Sequence, residues 1–172
     1  MTTHMRSEPT IVERAAQPYV AMRRSITMQT FPEVADRLPE VFGWLGARGV
    51  EPAGAPFFKY NLIDMERELE VEAGVPVATA IPGDDRVIAG VLPAGRYASV
   101  THIGHPEHLI RHTGALLEWA AQQGLEWDMS QTEAGERWAC RLELYKSDPA
   151  EQPDMSKWEV ELVFKLAGPQ RM

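Results

Sequence analysis

The residues best suited to chemistry lie in the last quarter of the chain. Trp138-Ala139-Cys140-Arg141-Leu142-Glu143-Leu144-Tyr145 is followed by Lys146-Ser147-Asp148-Pro149 and then by Trp158-Glu159-Val160-Glu161-Leu162-Val163-Phe164. Two apolar and aromatic runs around a Pro/Asp/Ser linker predict two strands and a loop. Strand side chains alternate between faces, so Arg141, Glu143 and Tyr145 share one face and Leu142 and Leu144 the other. We expect the leucine face to meet the helices and the glutamate to line a groove. A carboxylate beside aromatic rings in mid-strand suits the floor of a pocket. There its pKa would rise unless a cation paired with it. Arg141 is one such cation, and would then compete with a cationic ligand. Glu143 could also serve as a general base or a general acid.

Aromatic rings supply contact area and cation–π attraction. Tyr145 shares the face of Glu143. Trp138 has the opposite parity, so core packing and a groove role both stay open. Trp158 has the parity of Val160, Leu162 and Phe164, which read as core. Tyr60, beside Phe58 and Leu62, carries the same ambiguity. His102, His105, His108 and His112 crowd one stretch. A four-residue step such as His108 to His112 can bind zinc on a helix. Position 109 is leucine, however, not the glutamate of zinc hydrolases, and no cysteine pair supports a structural site. We expect surface histidines and no metal. Cys140 would need a histidine base to act as a nucleophile. Its parity with Leu142 and Leu144 predicts an inert buried thiol.

Positioning these residues takes a frame, and 172 residues suffice for one domain. With 25 acidic and 17 basic side chains the formal net charge is −8. That speaks against a phosphate-backbone partner and permits a cationic ligand or a basic protein partner. No apolar run is long enough for a bilayer, no signal-peptide core is visible, and the single cysteine fits a reducing compartment. We therefore expect a cytoplasmic protein without nucleic-acid or membrane partners.

Residues 1–8 read as a tail. Residues 10–26 read as a strand broken near Pro18. Leu38, Val41, Phe42 and Leu45 form a helical stripe, with Pro39 in the first turn and Gly49 as its cap. Residues 57–65 and 68–77 read as a strand pair; in the second, Leu69 and Val71 alternate with glutamates, predicting one dry and one wet face. Residues 86–92 and 96–103 read as strands around Pro93-Ala94-Gly95. A helix starts at His105-Pro106-Glu107, carries Leu109, Leu116 and Ala120, and ends at Gly124. The same offset of 75 residues separates Trp44 from Trp119 and Gly49 from Gly124. The strand–helix–strand–strand order thus occurs twice, which predicts an internal duplication. The expected fold is α+β: antiparallel sheets, helices on one face, and a ligand groove between the halves on the opposite face. The repeats would span about 9–80 and 86–167 within a domain of 9–168. Trp44 and Trp119 are expected to pack.

Several segments in this order resemble the GyrI-like family, also called the AraC-type or bacterial transcription activator effector-binding domain. They are Leu45-Gly46-Ala47-Arg48-Gly49, Gly54-Ala55-Pro56-Phe57-Phe58-Lys59-Tyr60, Leu92-Pro93-Ala94-Gly95, Leu116-Leu117-Glu118-Trp119-Ala120, and Glu143-Leu144-Tyr145 with Asp148-Pro149 and Trp158. The resemblance implies the duplicated fold and a groove for hydrophobic, often cationic, small molecules. It places Glu143 at the groove carboxylate and Trp158 at an aromatic of the last strand. Tyr145, Tyr60, Trp138 and Phe58 complete the expected ligand-binding set. The first expectation is a stand-alone binder of such molecules, without a DNA-binding domain and without a cofactor. The second is a hydrolase of reactive cytotoxic compounds, opening strained rings with Glu143. The third is an inhibitory protein-interaction module, such as a topoisomerase modulator. Ligand identity and oligomeric state stay open.

Overall fold

The protein was analysed as a computed structural model, which describes residues 5, 6, 8–64, 66–148 and 151–168. The first half comprises β1 (Met5–Arg6), β2 (Thr10–Arg14), β3 (Gln17–Ile26), α1 (Pro32–Ala35), α2 (Arg37–Ala47), β4 (Phe57–Ile63) and β5 (Leu69–Pro76). The second comprises β6 (Ile88–Leu92), β7 (Gly95–Ile103), a 3-10 turn at Pro106–His108, α3 (Leu109–Gln122), β8 (Met129–Thr132), β9 (Gly135–Trp138), β10 (Arg141–Tyr145), a 3-10 turn at Met155–Lys157 and β11 (Glu159–Lys165). The strands form one curled antiparallel sheet, with the order β1-β7-β11-β10-β4-β5-β3-β6 along its main path. Outward from the central β4–β10 pair, β5 and then β3 follow on one side, β11 and then β7 on the other. The duplicated α+β order is therefore visible in space as well as in sequence.

The helix ends match across the offset of 75 residues. Gly49 has φ 68° and Gly124 φ 71°. The Val50 N–H donates to the Leu45 carbonyl at 3.0 Å, and the Leu125 N–H donates to the Ala120 carbonyl at 2.9 Å. A left-handed residue there lets the chain turn back onto the last helical carbonyls, which suits glycine.

Both faces of the sheet are buried, by different means. All three helices lie on one face. Val41 and Leu45 of α2 pack with Val20, Met22, Val75 and Val77. Val34 of α1 and Leu109 and Leu116 of α3 pack with Phe58, Val71, Ala73, Ala98, Val100, Val160, Leu162 and Phe164. The other face closes on itself as the sheet curls, joining Tyr19, Ala21, Phe57, Tyr97, Cys140, Leu142 and Val163, with Leu144 against them.

That arrangement corrects an expectation. Leu142 and Leu144 face the curled interior, and Glu143, opposite Phe58 and Leu162 in register, shares the helix-bearing face. The alternation holds; the assignment of its two faces is reversed. The wet face expected of β5 is also dry at Glu72, which is 3% exposed. Its carboxylate accepts hydrogen bonds from the Tyr19 hydroxyl at 2.5 Å and from Asn61 Nδ2 at 2.6 Å, and Lys59 Nζ lies 3.7 Å away. A buried carboxylate needs such partners.

Other boundaries differ locally. The break in the first long strand falls at residues 15–16, and Pro18 lies inside β3, near the strand start where a missing N–H is tolerated. The expected tail contributes Met5–Arg6 as a strand on β7; residues 1–4 and 7 lie outside the described residues. The hairpin of β8 and β9 has no counterpart in the sequence reading. It also separates Trp138 from β10, so the parity count from Glu143 does not carry back to that residue.

Candidate functional site

Glu143 sits in the middle of the sheet, between Phe58 of β4 and Leu162 of β11. Strand spacing puts Tyr145 two residues further along the same face. Tyr60 stands two residues beyond Phe58 on β4. Both phenols reach the same carboxylate oxygen: Tyr60 donates to Glu143 Oε1 at 3.0 Å and Tyr145 at 3.1 Å. Among the described residues no hydrogen bond engages Oε2. Burial pushes the Glu143 carboxyl above its ordinary range, while the two tyrosine hydrogen bonds and the Arg141 charge pull it back in part. Burial, then the neighbouring carboxylate, pushes both tyrosines well above their usual values, so they stay protonated donors.

Arg141 does not neutralise Glu143. Its guanidinium lies over two rings, 4.7 Å from the centroid of Trp138 and 4.6 Å from that of Phe164. Among the described residues no ion pair joins it to Glu143. Burial lowers the arginine pKa, and the charges of Glu143 and Glu136 oppose that fall. Trp138 is fixed in turn by Trp127, at 5.6 Å between centroids, and by its indole N–H, which donates to Glu136 at 3.1 Å.

Glu143, Tyr60 and Arg141 form part of the floor of a cavity of about 210 Å³ between the two halves, and Tyr145 and Trp138 are not among its lining residues. Ile26, Thr27, Met28 and Phe31 wall it from the first half. Leu109, Ile110 and Thr113 wall it from the start of α3, and Tyr60, Ile63, Leu69, Arg141 and Glu143 lie below. The groove thus opens on the helix-bearing face, not on the opposite face as expected. Its volume is below the roughly 300–1,000 Å³ usual for ligand pockets. One small aromatic group fits as it stands, and a larger ligand must displace the wall. Ile110, 69% exposed, and Met28, 40% exposed, stand at that wall.

The expected ligand-binding residues divide into groups. Glu143, Tyr60 and Tyr145 meet directly. Phe58 lies behind them, edge-on to Tyr145 at 5.4 Å and to Phe31 at 5.0 Å. Trp138 supports Arg141. Trp158 stands apart from the lining, its indole N–H bonded to the Gln152 carbonyl at 2.7 Å. Ile110, Thr113, Met28 and Phe31, which also line the cavity, were not among the residues expected there. Ile110 is adjacent to the helical stripe at Leu109, and an apolar neighbour that widens a stripe was the available signal. The surface position expected of the histidines fails for two of them. His102 is fully buried and His112 is 5% exposed, their ring centroids 4.1 Å apart. His102 follows Ala98 and Val100 on the face of β7 beneath α3, and His112 lies on the buried side of that helix. Cys140 is buried, and burial pushes its thiol up, away from nucleophilic thiolate.

A curled antiparallel sheet with helices over one face and a cleft between its halves is an α+β architecture suited to holding a small molecule. The sequence model of the GyrI-like small molecule binding domain matches residues 7–167, and the chain belongs to that family. Solved structures with this fold include EcmrR in its DNA complex, at 16% identity and TM-score 0.76, covering 98% of this chain and 59% of that one. The protein thus spans about three-fifths of that EcmrR chain. The EcmrR C-terminal domain alone matches at 16% identity and TM-score 0.73, over 94% of this chain and 98% of that one. SAV2435 bound to tetraphenylphosphonium matches at 10% identity and TM-score 0.61, over 94% and 95%. A hydrolase from Listeria innocua matches at 10% identity and TM-score 0.59, over 93% and 92%. No curated protein matches the chain. Among the described residues no helix is long and apolar enough to cross a membrane.

Proposed function

We propose that this small-molecule-binding domain takes hydrophobic, often cationic, compounds into the groove between its halves, with Glu143 as the counter-charge. The observation that carries the reading is the Glu143 carboxylate: half-buried, anchored through Oε1 by two tyrosines, and free of protein hydrogen bonds at Oε2 among the described residues. A cation reaching Oε2 offsets the cost of burying that charge. Tyr60 adds polarised ring surface beside it. The tetraphenylphosphonium bound to SAV2435 is a lipophilic cation, which agrees with this ligand class. The test is titration of benzylammonium and of neutral benzyl alcohol, both small enough for the cavity, into wild type and Glu143→Gln. Loss of the charge should weaken benzylammonium by about 1–3 kcal/mol and benzyl alcohol much less. Equal affinity of both proteins for benzylammonium would refute the assignment.

The raised pKa of Glu143 favours one second reading, a hydrolase of reactive strained-ring compounds. A carboxyl shifted towards neutrality is better placed to give or take a proton. The structural likeness to a Listeria innocua hydrolase agrees with it. Here Glu143→Gln should lower turnover by roughly 100-fold and leave binding nearly intact. Absence of turnover by wild type on such electrophiles would remove this reading and leave binding.

A further inference from the structure

The groove floor holds two opposite charges that do not pair. Arg141 and Glu143 are two residues apart on β10, so their Cα atoms lie about 6.6 Å from one another on one face. Both line the same cavity. Each is nevertheless held by its own set of rings. Tyr60 and Tyr145 hold one oxygen of the carboxylate. Trp138 and Phe164 lie against the guanidinium. Ring stacking occupies the flat faces of a guanidinium and leaves its in-plane N–H edge for hydrogen bonding. Among the described residues no acceptor is hydrogen-bonded to that edge.

This split has a consequence for selectivity. A simple lipophilic cation entering the groove gains from Glu143 and is repelled by Arg141, so the arginine subtracts from what the glutamate supplies. A compound with both a cationic and an acceptor group gains from both residues. We propose that the groove is a two-pole site for aromatic zwitterions, in which Glu143 takes the ammonium and Arg141 the carboxylate of one ligand. This rests on the reading of the groove as the ligand site, and names the ligand class it prefers.

The experiment compares benzylammonium with 4-(aminomethyl)benzoate, the same ring and ammonium with a carboxylate added opposite. Dissociation constants are measured for wild type, Arg141→Met, Arg141→Lys and Glu143→Gln. Wild type should bind the zwitterion at least about tenfold more tightly than benzylammonium, the worth of one charge-assisted contact. Arg141→Met should abolish that preference and tighten benzylammonium. Arg141→Lys keeps the charge and should keep part of the preference, since a point charge cannot lie flat between rings as the fork does. A wild type that holds benzylammonium as tightly as the zwitterion would overturn the proposal, whether or not the methionine variant folds. So would an unchanged preference in Arg141→Met. The broader reading fails separately: if Glu143→Gln leaves benzylammonium binding unchanged, the groove is not a carboxylate-based ligand site at all. If benzylammonium depends on Glu143 and the preference does not depend on Arg141, only the two-pole site falls.

Discussion

Glu143→Gln should make the protein more stable while it impairs ligand binding. In the folded chain the half-buried carboxylate has lost part of its hydration, which is unfavourable for an ion that stays charged. Two tyrosine hydroxyls return about 1.5–3 kcal/mol each. The return is incomplete, because the carboxyl still titrates above its ordinary value of 4.5. Its stabilising contribution is therefore complete below pH 4.5, where it is protonated folded and unfolded alike. That contribution is lost as pH rises through the folded pKa, and the loss then levels off. Glutamine keeps a carbonyl for the tyrosine hydroxyls and carries no charge. At pH 4 wild type and variant should melt together. At pH 8 the variant should be the more stable of the two. For a chain of this length each kcal/mol of that gap raises Tm by about 2–4 °C. Thermal melts at half-unit pH steps from 4 to 8 measure the gap. A variant that melts below wild type at pH 8, or a gap independent of pH, would refute the claim that burial governs this carboxyl.

Tyr60→Phe and Tyr145→Phe should each weaken benzylammonium binding by about 1 kcal/mol, measured by titration. Because both hydroxyls meet Oε1, the double variant should depart from the sum of the singles. Ile110→Ala should change stability by less than about 0.5 kcal/mol, as suits so exposed a side chain, yet weaken aromatic probes by about 1 kcal/mol through lost contact area. Gly49→Ala and Gly124→Ala should each cost about 1–2 kcal/mol in denaturant unfolding. Among the described residues, the chain neighbours aside, no atom lies within 4 Å of the added methyl group at either site, so the left-handed backbone carries that cost.

How far the sequence could be read depended on what each signal measures. The Trp44/Trp119 and Gly49/Gly124 offset reports local helix geometry, and local geometry repeats faithfully: the two helix ends make equivalent hydrogen bonds. The β8–β9 hairpin was illegible because Met129-Ser130-Gln131-Thr132 and Gly135-Glu136-Arg137 are mostly polar, and neither segment alternates strongly. Gly135 was the clue. At φ 131°, with the Ile63 carbonyl oxygen 2.5 Å from where a Cβ would stand, the position excludes other residues. The buried histidine pair was illegible for another reason. Composition places histidine at surfaces on average, and only the register of β7 against α3 brings His102 and His112 together.

The reversed face assignment shows where alternation stops informing. Period-two patterning shows which side chains point together, and names the buried face only when one face is wet. Here the sheet curls on one side and carries helices on the other, so Leu142 and Glu143 both point into protein. The chain marked the difference elsewhere. On the curled side the polar residues Glu72, Asn61 and Lys59 engage one another, which closes that interior. On the helix side Glu143 and Arg141 meet rings instead, and each keeps hydrogen-bonding capacity towards the cavity. A site on this side has a floor built on central strands and walls built from the 27–31 turn and the first turns of α3. The floor is fixed by strand pairing on both sides, whereas Met28 and Ile110 are exposed side chains that can rearrange. The floor therefore sets the charge pattern a ligand must satisfy, and the walls set how large it can be. Substitutions at Arg141 and Glu143 should change which charges are accepted, and substitutions at Met28 and Ile110 should change the accepted size.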